Sequence, residues 1–248
     1  MGQINWTRGV VTAQLTYDAE PDNGQILEQA IEQAVQNMVN TLMQLRVDDQ
    51  RCAAHIFKGN RISRAKVEAM VRSSKVVHRR KMPAGGEEIC VQMKLHGGFA
   101  QLMLPAEIRQ VLPIRALNGA IDRRNFQKAS GQSTDAYTGL IVDARGTGAK
   151  PSMVPTLVDE KGDEVFGTAY VSREFAVQYG LCRYIRLMPG QRSAFDRVAT
   201  NPLRVKGLRT TNPNSCKIVI SNADASKLLG TSTHLEFLKQ CRVIIVLD

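Results

Sequence analysis

From Leu27 to Leu45 the apolar residues Leu27, Ile31, Ala34, Met38, Leu42 and Leu45 recur at intervals of four, three, four, four and three. That period predicts a helix with one apolar stripe, which has to be buried against another element. The segment before it supplies that element. Val11, Ala13, Leu15 and Tyr17 alternate with Thr12, Gln14 and Thr16, the period of two of a half-buried strand. Asp22-Asn23-Gly24 between them carries helix-starting chemistry. The helix's other face, Glu28, Gln29, Glu32, Gln33, Gln36, Asn37 and Asn40, is polar without Lys or Arg, so it offers no phosphate-binding surface.

The same reading continues along the chain. A shorter helix is predicted over Arg61 to Val71, and Lys75 to Lys81 with Glu87 to Leu95 flank Pro83-Ala84-Gly85-Gly86 as a β-hairpin. Residues 1–97 thus form a β-α-α-β-hairpin domain. Residues 98–136, broken by Gly97-Gly98, Pro105 and Pro113, read as a connector, partly helical near Ala106 to Leu112. Its Leu102-Met103-Leu104 patch is either a docking contact for the neighbouring domain or an exposed patch used by a partner. Residues 137–248 form a second α+β domain. Its predicted strands are Gly139 to Asp143, a hairpin of Val154 to Val158 with Glu164 to Phe166, Arg183 to Leu187, Leu203 to Leu208, Cys216 to Ile220 and Val243 to Leu247. Helices are predicted over Ser172 to Tyr179 and Ala223 to Leu229, the latter capped by Ser221 with Asp224. The continuous β-branched run at 243–247 suits a central strand covered on both faces. The fold class is α+β: two small domains, each a mostly antiparallel or mixed sheet with helices packed on it.

The apolar share of 43% and the charged share of 23% are globular values, and no apolar run approaches the roughly 20 residues of a membrane helix. Met1 to Trp6 lacks the features of a secretory signal, so the protein is either cytoplasmic or its export signal has been removed. A net charge of +10 invites nucleic acid, an acidic partner or an anionic surface. Aromatic residues are only 5% of the chain, which leaves few base-stacking platforms. The five cysteines contain no C-x-x-C pair, so neither a zinc site nor a disulfide framework is signalled and they read as inert, mostly buried thiols.

The motifs offer chemistry and then withdraw it. Gly146-Thr147-Gly148-Ala149-Lys150 follows a strand like a phosphate-cradling loop. However, Lys150 precedes no Ser or Thr, and Pro151 and Pro155 prevent the long helix whose N-terminus would face the phosphates. It reads as a structural turn. His55, His78, His96 and His234 are taken as isolated surface or hairpin histidines, and no local nucleophile motif is present. No catalytic, cofactor-binding or metal-ligating residue is therefore assigned, and no cofactor or small-molecule substrate is expected. The candidate interaction residues are Arg145, Lys150, Arg79 and Arg80. Arg145 and Lys150 emerge on the loop after the strand at 139–143, where Arg145 either meets a partner's carboxylate or pairs with Asp143 or Asp159. Arg79 and Arg80 belong to the basic run Lys75, His78, Arg79, Arg80, Lys81. That run reads as a solvated edge strand protected from aggregation, with an acidic partner, a membrane surface or nucleic acid as the alternatives.

Patches of sequence carry a resemblance. Trp6-Thr7-Arg8-Gly9-Val10-Val11-Thr12-Ala13 with the helix bearing Ala30 and Ala34 resembles the N-terminal domain of flagellar assembly protein T and related small surface lipoproteins. Gly139 to Gly146, Pro151 to Pro155, Asp159 to Gly167, Asn201 to Lys206 and Val219 to Ala225 are similar to segments of longer members. The resemblance implies a non-enzymatic protein of the periplasm or outer-membrane periphery, a ring or sheath subunit around a flagellar or other envelope machine. It also implies self-association or envelope proteins as partners rather than nucleic acid. The alternative is a cytoplasmic basic binding protein for nucleic acid or an acidic protein.

Overall fold

A computed structural model describes residues 2–18, 24–58, 61–83, 85–105, 108, 137–186 and 193–248. The helix expected near Ala106 to Leu112 lies outside them, apart from the buried Ile108. The chain divides into two compact units, Met1–Met103 and Leu104–Asp248. The α+β class holds, with helices packed on sheets in each.

Unit 1 is built on an antiparallel four-stranded sheet in the order β1-β2-β4-β3, with β1 Gly2–Asn5, β2 Val10–Tyr17, β3 Lys75–Lys81 and β4 Glu87–Lys94. The register sets Val11 opposite Met93, Ala13 opposite Val91 and Leu15 opposite Ile89, so the alternating apolar residues of both strands share one face. Helix α1, Gly24–Met43, lies on that face. Ala34, Met38 and Leu42 are fully buried along its stripe, joined by Val35 and Val39, and Leu45 is buried just past its end. Ile31, expected in the core, is only half-buried and lines a shallow groove with Glu28, Glu32, Val35 and Arg72. At the other end α1 approaches β1 so closely that a Cβ on Gly2 would meet Thr41 Oγ1 at 2.0 Å, a contact only glycine permits. The short helix α2, Ala53–Phe57, with α3, Arg61–Arg72, and α4, Gly98–Met103, completes the unit.

Unit 2 holds two sheets. One runs β8-β12-β5-β9, from β5 Gly139–Asp143, β8 Arg183–Arg186, β9 Pro202–Lys206 and β12 Val243–Leu247. Every pairing in it is parallel, where a mostly antiparallel or mixed sheet is expected from the sequence. The parallel arrangement explains why β5 and β12 read as continuous apolar runs, since such strands are covered on both faces. All five residues of β12 are buried, and Ile141, Ile185, Val198, Ile244 and Val246 form one core cluster. The second sheet, β10-β11-β6-β7, is mixed, with β6 Thr156–Val158, β7 Glu164–Phe166, β10 Arg209–Thr210 and β11 Lys217–Val219. Helices α5 Arg173–Tyr179, α6 Asn222–Leu229 and α7 Ser232–Lys239 complete the unit. Ser221 caps α6 by accepting from the Asp224 N–H at 3.0 Å.

Candidate functional site

Arg79 and Arg80 lie on β3, which among the described residues pairs only with β4 and forms one edge of the unit 1 sheet. The hairpin closes through Gly85 and Gly86, both at positive φ, with Met82 N–H donating to Gly86 O at 3.0 Å. The register puts Arg79 beside Ile89, Arg80 opposite Glu88 and Lys81 opposite Glu87. Arg79 Nε donates to Glu87 Oε2, which also accepts from the Tyr17 hydroxyl at 2.7 Å. The hydrogen bond from Arg79, then that from Tyr17, holds the Glu87 carboxyl below its ordinary range, and Arg79 in turn is held above its own. Glu87 is itself buried, so Arg79 is its counter-charge and a structural residue.

Arg80 is bound more loosely, with Nη2 3.3 Å from Glu88 Oε2. His78 and Lys81 are exposed and form no ion pair among the described residues. The ladder slips between Val76 and His78, leaving Val77 without a cross-strand partner. Val76 and Val77 are 45% and 51% exposed, large apolar side chains facing water on the same strand as the cations.

Arg145 and Lys150 lie on the loop after β5. Arg145 closes on Asp143 as a two-pronged pair, Nε to Oδ1 at 2.8 Å and Nη2 to Oδ2 at 2.6 Å, and the guanidinium keeps the Asp143 carboxyl below its usual range. Lys150 is exposed, and its main-chain N–H donates to Ser215 O at 3.1 Å. Four of the glycine loop's main-chain donors are taken up within the chain, that of Lys150 among them. Gly146 N–H donates to the Asp248 carboxylate at 3.0 and 3.1 Å, Thr147 N–H to Ala144 O at 3.2 Å, and Ala149 N–H to Thr147 Oγ1 at 3.3 Å. The Asp248 carboxylate takes the Gly146 N–H, so the loop is a brace between β5 and the end of β12.

Two readings of the histidines are corrected. His55 is not isolated: it follows Cys52 by three residues, and its Nδ1 lies 3.1 Å from Cys52 Sγ and accepts from Cys52 N–H at 3.2 Å. The pair closes the first turn of α2 as a reciprocal cap, and Cys-x-x-His was the signal in the sequence. His234, expected at the surface, is buried, with Nδ1 2.8 Å from Lys227 O and its ring 5.1 Å from Tyr137 and 5.7 Å from Phe237.

Sequence reasoning missed Arg197. It is largely buried, and no carboxylate of the described residues pairs with it. Its guanidinium donates to Cys241 O at 2.6 Å, Tyr179 O at 2.8 Å and Gly180 O at 2.5 Å, tying together the C-terminus of α5 and the entry to β12. Burial pulls its pKa below the ordinary arginine value. Nearby Cys182 and Cys241 have thiol pKa values pushed up to about 12 by burial, which makes them inert. Among the described residues no group of three or more His, Cys, Asp or Glu is placed to hold a metal ion, and no described helix is long and apolar enough to cross a membrane.

Residues 139–248 match the family model described as Treponema pallidum Tp0624, second domain. The match starts at the first residue of β5 and takes in both sheets of unit 2. No curated protein matches the chain.

Proposed function

We propose that this chain is a non-enzymatic binding or assembly subunit of the bacterial cell envelope, acting at the periplasm or outer-membrane periphery by docking rather than turnover. The observation that carries the reading is β3, an edge strand that presents Val76, Val77, His78, Arg80 and Lys81 to solvent. Exposed apolar residues beside the loosely paired Arg80 and the exposed Lys81 on a sheet edge are features of a recognition surface. The resemblance of sequence patches to flagellar assembly protein T and small surface lipoproteins supports the compartment and a ring or sheath role. A second reading, a cytoplasmic protein that binds an acidic partner, draws on the same strip and on the net charge of +10.

Fractionation of the native host, followed by velocity sedimentation of the extracted protein, tests the proposal. The expected result is recovery with the envelope in a particle larger than one chain, and its release as a folded monomer when Arg80→Glu and Lys81→Glu are combined. A monomer confined to the cytosol would reject the envelope assignment and the assembly role together.

A further inference from the structure

Resting on that reading, we propose that β3 takes up an extended, acid-bearing segment of a partner protein as a fifth strand of the unit 1 sheet. β3 spans seven residues, Lys75–Lys81, about 23 Å at the usual rise of a strand, and it hydrogen-bonds to β4 on one side only. Its other side presents main-chain donors and acceptors with no neighbouring strand among the described residues. A polypeptide strand meets donors and acceptors in alternation along the whole edge, whereas phosphate oxygens supply acceptors alone. Neither β3 nor β4 contains Phe, Tyr or Trp, so His78 is the one ring on the two strands on which a base could stack.

The charges select the occupant. A second β3 from another copy would bring two sets of Lys75, Arg79, Arg80 and Lys81 side by side, and like charges crowded across a ladder repel. The cations that guard the edge against self-pairing thus admit an acidic strand and exclude a basic one. The contributing residues differ in role. Arg79 is committed to buried Glu87. Arg80 is itself exposed and lies at a long 3.3 Å from the half-buried Glu88, a loose contact that leaves its other donors open to a partner carboxylate. His78 and Lys81 form no ion pair to be broken, and Val77 offers an apolar contact that β4 does not use.

The test uses the whole chain and a labelled eight-residue peptide of alternating Val and Glu, with an alternating Val and Lys peptide and a dT oligonucleotide as controls. The acidic peptide should bind saturably and at least about tenfold more weakly to a chain carrying both Arg80→Glu and Lys81→Glu, whose melting temperature should match wild type. Lys81→Gln alone serves if the double variant does not fold, and should weaken binding in the same direction. Hydrogen exchange at the β3 amides should slow when the peptide is bound. The inference falls if the acidic peptide does not bind, binds the folded charge variant as well as wild type, or binds without protecting β3. It also falls if the oligonucleotide competes at equal affinity, which would turn the strip into a nucleic-acid surface. Failure here with an envelope-bound particle still present in sedimentation removes strand addition and leaves the assembly role standing.

Discussion

Replacing Arg197 with Met keeps most of the side chain's stem and removes its five donors, and the structure lets the cost be apportioned. Cys241 O keeps a second donor, Val243 N–H at 2.8 Å, so it loses little. The bond to Tyr179 O is at the surface, where water substitutes. Gly180 O is partly buried and is left short of a partner, at about 1–3 kcal/mol. The αL conformation of Cys241, at φ 57, loses the guanidinium that pins its carbonyl, and a non-glycine residue there is held only by its surroundings. Against these losses stands relief from burying a cation. The expected net is a destabilisation of about 2–3 kcal/mol, roughly 5–10 °C in the melting temperature for a chain of this size. Arg197→Lys, which keeps the charge and can still reach part of the carbonyl set, should cost about half as much. Urea denaturation followed by circular dichroism measures both. If Arg197→Met lies within about 0.5 kcal/mol of wild type, or stabilises the chain, the burial cost exceeds the hydrogen bonds and Arg197 is not the clasp described.

Met38 is fully buried while Ile31 is half-exposed on the groove, so Met38→Ala should cost about 2–5 kcal/mol and Ile31→Ala clearly less in the same denaturation series. Cys52 is the one cysteine that is not buried, so mass spectrometry after brief alkylation of the native chain should find label on Cys52 and find the other four modified only after unfolding. Burial alone would raise the Asp48 carboxyl, but hydrogen bonds from the Arg51 side chain and from the Gln50 and Arg51 N–H groups outweigh it and hold the folded value below the ordinary 3.8. The stability this contributes is complete above the unfolded value and lost as pH falls through the folded one. Asp48→Asn should therefore lower the urea midpoint at pH 7, and the gap should close as pH drops through and below 3.8; an unchanged gap would show that charge plays no part.

What the sequence exposed was what local periodicity controls. The α1 stripe, the alternation of β2 and β4, the hairpin at Gly85-Gly86 and the β-branched run of β12 each combine residues within one element. What it hid depends on distant segments. Parallel pairing of β12 with both β5 and β8 joins residues about a hundred and about sixty positions apart, and the apolar runs alone do not give direction. β1 has four residues, too few for a readable alternation. α7 has Thr231 at its N-cap position and apolar Leu235, Phe237 and Leu238, but two turns are too short for the helical period to stand out. Among the candidate site residues, the Arg145 partner was readable because Asp143 is two positions away. The commitment of Arg79 to Glu87 required the hairpin register, and the carbonyl set of Arg197 comes from residues 17, 18 and 44 positions away, which leaves no local signal.

Photo-crosslinking in the native host tests the central claim most directly. A benzoylphenylalanine introduced at Val77 on β3 is compared with one at Leu208, which is 45% exposed in unit 2. A docking edge predicts a discrete crosslinked species at Val77, recovered with the envelope, lost when Arg80→Glu and Lys81→Glu are added, and absent at Leu208. Irradiation that leaves Val77 uncrosslinked, or crosslinks both positions alike, would contradict the account.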